Sequence, residues 1–191
     1  MDNRNLTYSN IIVRSDGSRH VTGCAIKFNS DSNDMGFIEQ IKPEAVTEDV
    51  LMRSDIFVYL DHQKDRGVLA RSNQGVGSLH LDLRDDGLYY DFDAPATQLG
   101  DELLSYLERG EINSSSFAFT VADGGDKWYR DADGKIRRDI YKIERLFDCS
   151  PVFSPAYSAT SCQRRGLDDF MTDEANKKEL AEWRERINNL C

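Results

Sequence analysis

The stretch "GSLHLDLRDDGLYYDFDAP", residues 77 to 95, constrains the fold of this chain more than any other. Leu79, Leu81 and Leu83 alternate with His80, Asp82 and Arg84, and the period of two resumes with Leu88, Tyr90 and Phe92. That period belongs to half-buried strands and not to a helix. "RDDG" between the two halves marks a tight turn, so the stretch predicts a β-hairpin. A hairpin with one apolar face needs a second layer to cover it.

The same signals recur along the chain. "NIIVRS" reads as a strand, "SDGS" as a turn and "RHVTGCAIKF" as the hairpin partner. "GFIEQI" and "GVLAR" are short strands, and "DIFVYLDH" is the most apolar one, ending on Asp61 and His62. "SSSFAFTVAD" predicts a strand, "GGDKWYRDADGKIRRD" a long polar turn, and "IYKIERLFDCSPVF" the antiparallel return, after which "SPAYSAT" leaves the sheet. Two helices interrupt the strands. "KPEAVTEDVLM" has Pro43 in its first turn and acids near its start. "TQLGDELLSYLERGEI" has Thr97 as N-cap, a stripe of Leu99, Leu103, Leu104 and Leu107, and Gly110 as its stop. The expected fold is β-rich α+β: a closed or partly closed antiparallel barrel with surrounding helices over residues 1–165.

Residues 166–191 carry no strand signal and predict a charged helix. Leu180, Trp183, Ile187 and Leu190 are spaced three, four and three apart, on one face. A stripe this narrow resembles a coiled-coil seam. It suits packing back on its own chain or on a second one, with "SATSCQRRG" as linker.

Charge and cysteine usage exclude several classes. The chain has 24 basic and 34 acidic side chains, net -10, and such a surface repels phosphate backbones, so no nucleic-acid partner is expected. "MDNRNLTYSN" has no apolar core of a signal peptide and no stretch approaches a membrane span, so a cytosolic site of synthesis and no membrane partner are expected. Cys24, Cys149, Cys162 and Cys191 form no CxxC pair, and three histidines offer no zinc spacing, so neither metal nor cofactor is expected. Free thiols in a reducing compartment fit this pattern, with Cys149 a small buried side chain.

Polar residues inside apolar strands carry the chemistry. "GEINSSSFAF" leads three serines, Ser114, Ser115 and Ser116, directly into an apolar strand. His62 ends the most apolar strand, where it is either a surface turn residue or a base at a cleft. His20 lies in a polar strand start, and His80 faces away from its leucine neighbours, toward solvent. Asp148, in "LFDCSPV", is an acid in an apolar run and needs a partner: an arginine such as Arg71 or Arg145, a turn cap, or a histidine. A nucleophilic serine requires a base, a group that orients the base, and donors for the oxyanion. A binding or assembly module remains the non-enzymatic alternative.

Six pieces in one order carry a resemblance: "GCAIKF", "EQIKPEA", "VYLDH" followed by "GVLAR", "DDGLYYDFD", "GEINSSSFAF" and "LFDCSPVFSPAY". Over about residues 20 to 160 the chain resembles the prohead maturation proteases of tailed bacteriophages, serine proteases similar in fold to herpesvirus assemblin. The resemblance implies an assemblin-like barrel, Ser116 as nucleophile and His62 as base. Ser115 would point to the opposite strand face, while Ser114 shares the face of Ser116 and is its rival. Assemblins use a second histidine after the serine, and this chain has none beyond His80. The phage family usually has Glu as its third member; Asp148 stands here, one methylene shorter. Implied substrates are the scaffold protein or the scaffolding segment of the major capsid protein, and the protease itself, inside the procapsid in the host cytoplasm. A homodimer or higher oligomer is implied as well, with the C-terminal helix as a tether and the region of its linker as a site of self-cleavage.

Overall fold

The computed structural model describes residues 2–4, 11–13, 18–153 and 161–188. Its elements are, in chain order, β1 (Asp2–Arg4), β2 (Ile12–Val13), β3 (His20–Lys27), β4 (Ile38–Ile41), α1 (Glu48–Arg53), β5 (Asp55–Val58), β6 (Ala70–Asn73), β7 (Val76–Gly77), β8 (His80–Arg84), β9 (Gly87–Asp93), α2 (Gln98–Glu108), β10 (Ser114–Val121), β11 (Asp126–Arg130), β12 (Ile136–Ile140), β13 (Ile143–Val152) and α3 (Ser161–Asn188). The chain divides into two compact units, Met1–Ser158 with every strand and Ala159–Cys191 with α3.

The hairpin read from the alternation is β8–β9, joined across Asp85 and Asp86 and paired antiparallel from Arg84↔Gly87 to His80↔Asp91. Leu88, Tyr90 and Phe92 are buried, and His80, Asp82 and Arg84 are exposed. β9 also pairs with β3, and β3 with β2, to give a four-stranded sheet. A six-stranded sheet runs β1-β10-β13-β5-β6-β7, and a three-stranded sheet runs β11-β12-β4. Buried side chains from β3, β5, β9, β10, β12 and β13 share one core with α2.

The structure corrects the barrel expectation in two ways. Among the described residues the strands form three separate sheets and no closed barrel. Pairing is also not antiparallel throughout, since β13 with β5 and β12 with β4 run parallel. Several sheet ends are very short strands, β2 and β7 having two residues each, and short edges resist further pairing.

Local chemistry explains the other differences. "GGDKWYRDADGKIRRD" is not a long turn but the hairpin β11–β12. Its polarity is absorbed by ion pairs: Arg138, buried, lies 3.3 Å from Glu39, bonds Asp126 through Nε at 2.5 Å and covers the Trp128 ring at 5.0 Å. "KPEAVTEDVLM" splits into a 3₁₀ turn, Pro43–Ala45, and α1, because the Thr47 hydroxyl accepts the Val50 N–H and starts a new helix. α2 keeps the expected form: Thr97 accepts the Gly100 N–H, Leu103 is fully buried, and Gly110 follows with φ +70°. α3 begins at Ser161, so part of the expected linker is helical. Residues 14–17, at the end of the first predicted strand and in the turn after it, the exit segment 154–160 and Leu190 lie outside the described residues.

Candidate active site

β10 lies between β1 and β13, and from Ser114 to Phe119 it is buried on both faces. Alternation of side chains separates the three serines. The Ser115 hydroxyl meets the buried Tyr90 phenol at 2.9 Å. Tyr90 has room there because its neighbour across the β3–β9 ladder is Gly23; a Cβ on Gly23 would stand 2.5 Å from the phenol oxygen. Ser114 donates to the side chain of Asn113 at 2.8 Å. Ser116 Oγ lies 2.6 Å from Nε2 of His62.

His62 comes from the far end of the chain's most apolar segment. β5 ends at Val58, and the backbone then turns sharply: the Gln63 N–H donates to the Leu60 carbonyl at 3.0 Å. Both residues inside that turn, Asp61 at φ +52° and His62 at φ +56°, are left-handed. Two such non-glycine residues in a row are uncommon and strained, a condition that persists only where surrounding contacts enforce it. Here the end of β13 enforces it. The Asp61 N–H donates to the Pro151 carbonyl at 2.9 Å, and the Phe153 N–H donates to the Asp61 carboxylate at 3.4 Å.

The parallel pairing of β5 with β13 sets Asp148 opposite Phe57, and its carboxylate reaches the turn. Asp148 Oδ1 is 2.7 Å from His62 Nδ1, and both groups are largely buried. The oxygen approaches from one side of the N–H axis, so the contact is a close polar approach and not a linear hydrogen bond. The shorter Asp side chain therefore spans the gap. Neither arginine considered for Asp148 fills the role: Arg71 forms a two-pronged pair with Asp55 at 2.7 Å, and Arg145 is exposed.

Ser150 was not anticipated from the sequence. It stands directly opposite Ser116 in the β10–β13 ladder. Its hydroxyl donates to Asp148 Oδ1 at 3.0 Å and accepts the Tyr59 N–H at 3.2 Å. The "D-C-S" spacing, two residues apart on a strand and so on one face, was the available signal.

The other titratable candidates stay apart from this cluster. His20 sits 3.0 Å from Asp93, and His80 is exposed. Cys149 and Cys24 are free and buried, and burial pushes both thiols up, Cys149 well above the ordinary range.

A hydroxyl, an imidazole and a carboxylate in series match the donor and acceptor needs of a serine nucleophile. With Nδ1 facing a carboxylate, the neutral tautomer protonated at Nδ1 leaves Nε2 free to accept the Ser116 proton. Residues 9–173 match the family model described as caudovirus prohead serine protease. No curated protein and no solved structure matches the chain.

Proposed function

Because the chain belongs to the caudovirus prohead serine protease family, we propose that it is a serine endopeptidase of capsid maturation, with Ser116 as nucleophile. The observation that carries this reading is the 2.6 Å separation of Ser116 Oγ from His62 Nε2. As Oγ attacks the scissile carbonyl, its proton passes to Nε2, and the imidazolium that results is stabilised by the Asp148 carboxylate beside Nδ1. Collapse of the tetrahedral intermediate breaks the C–N bond, and His62 returns the proton to the leaving amine. Water, deprotonated by the same imidazole, then releases the acyl group and restores Ser116.

Scaffold protein, or the scaffolding segment of the major capsid protein, is the substrate that the family implies, with self-cleavage accompanying it. Confinement inside a procapsid in the host cytoplasm suits such an enzyme, because shell and protease held together raise the effective substrate concentration. No described helix is long and apolar enough to cross a membrane. We assign α3 to tethering or self-association, apart from the unit that holds the site.

Incubation of the purified chain with its phage's capsid and scaffold proteins tests the reading. Defined fragments should appear with the wild type. Ser116→Ala and His62→Ala should each lower the rate by about 10⁴-fold or more. Undiminished cleavage by either variant would remove that residue from the mechanism, and an inert wild type would favour a non-enzymatic assembly module.

A further inference from the structure

We infer that Ser150 is a positioning residue for the reaction: its hydroxyl fixes the Asp148 carboxylate against His62 and ties that carboxylate to the strand carrying the base. The inference rests on the serine-protease reading above.

Connectivity carries it. A serine hydroxyl has one proton and two lone pairs. In Ser150 a lone pair is taken by the Tyr59 N–H at 3.2 Å, which leaves the proton for Asp148 Oδ1 at 3.0 Å. That carboxylate oxygen is the one at His62 Nδ1. Tyr59 is the first residue past the end of β5 and precedes His62 by three positions. The chain Tyr59 N–H, Ser150 Oγ, Asp148 Oδ1, His62 Nδ1 thus closes a loop through two strands. Where β5 leaves the sheet, a side chain takes over from the backbone as the acceptor of its N–H.

The burial of the cluster gives these contacts weight. Ser150 is fully buried and Asp148 1% exposed, so water cannot replace a lost partner. The carboxylate approaches Nδ1 off the N–H axis, so His62 alone does not hold it linearly. Without the Ser150 hydroxyl the carboxylate is free to turn about its terminal bond, and the imidazole loses its reference. Misplacement by about 1 Å costs such a site roughly 100-fold.

The test uses the full chain and a small fluorophosphonate, which phosphonylates an activated serine as a P–O bond forms and fluoride leaves. Wild type should label stoichiometrically at Ser116, and Ser116→Ala should not. Ser150→Ala should label about 10- to 100-fold more slowly, to the same final stoichiometry. Ser150→Thr, which keeps the hydroxyl, should stay within about threefold. A residue that merely supports the fold would lower the labelled fraction and leave the rate of that fraction unchanged. Ser150→Cys, close in volume but a weak donor, serves if the alanine variant does not fold, and it should also label slowly. Wild-type rates in a folded Ser150→Ala or Ser150→Cys would overturn the role of Ser150 and leave Ser116 standing. An unlabelled wild type would overturn the protease reading and this inference together.

Discussion

Ser116 and Ser150 face each other across the β10–β13 ladder, one hydroxyl at the imidazole of His62 and the other at the carboxylate beside it. Both lie on a buried strand face, and their spacing is set by backbone pairing and not by flexible loops. The site is thereby built on two paired strands, with only the base supplied from a turn.

Asp148→Asn should separate charge from geometry. His62 Nδ1 and Ser150 Oγ both converge on Oδ1, so an amide oxygen in that place can still accept from Ser150 and face Nδ1 without the charge. We expect a folded protein whose turnover falls by about 10²- to 10⁴-fold, because nothing then stabilises the imidazolium. Asp148→Ala should also destabilise, by roughly 1–3 kcal/mol, since buried donors lose their acceptor. Denaturant titration beside rate measurement distinguishes the two; equal turnover in Asp148→Asn and wild type would return Asp148 to a structural role.

The left-handed backbone at His62 predicts an order of stability. Glycine adopts φ +56° freely and a β-branched residue does not. His62→Gly and His62→Val should both be inactive, with the valine variant less stable by roughly 1–2 kcal/mol. Thermal melts of the two would check this, and a valine variant as stable as the glycine one would show that the turn relaxes without the imidazole.

Gly23→Ala should disturb the serine strand from behind. The added methyl would stand 2.5 Å from the Tyr90 ring, which must move and release Ser115. A loss of about 1–3 kcal/mol is expected from such overpacking. Tyr90→Phe should cost about 1–2 kcal/mol through the unsatisfied Ser115 hydroxyl. Chemical denaturation measures both, and unchanged midpoints would mean that this contact carries no stability.

Thiol reactivity should report the core directly. Burial raises the Cys24 and Cys149 pKa, so at any given pH less thiolate is present than on a free cysteine. Iodoacetamide at neutral pH should leave both unmodified in the native chain and label both in denaturant, as read by mass mapping. Rapid native labelling of Cys149 would contradict the packing of β13.

Truncation before α3 separates the two units. A chain ending at Ser158 should melt as the full chain does, because every strand lies in Met1–Ser158. Sedimentation should show reduced self-association. Identical oligomeric states for both chains would remove α3 from that role.

Ser116 and His62 were singled out by the resemblance to the phage family, since alternation separates Ser115 from its neighbours but leaves Ser114 and Ser116 on one face; Asp148 was conspicuous as an acid within an apolar run. Ser150 was hidden, since its partners follow from the β10–β13 register and from where β5 ends, and both are long-range facts. The Asp61–His62 conformation was hidden for a related reason: neither residue is a glycine, and the contacts that hold the turn come from Pro151 and Phe153. The β11–β12 hairpin was mistaken for a turn because Arg137 and Arg138 look like solvent residues until Asp31, Glu39 and Asp126 are placed beside them. Barrel closure likewise depends on which edges meet, and no local pattern encodes that.

Three consecutive hydroxyls make β10 degenerate at the place where chemistry demands one answer. A slip of a single residue in one direction would still present a serine, Ser115, to His62 and another, Ser114, to Tyr90. The degeneracy is broken further along the strand. Phe117 and Phe119 stack at 5.3 Å on the side shared with Ser115, both fully buried, and a slip would drive both rings through to the opposite face. The address of the nucleophile is therefore written in two phenyl rings that take no part in the reaction.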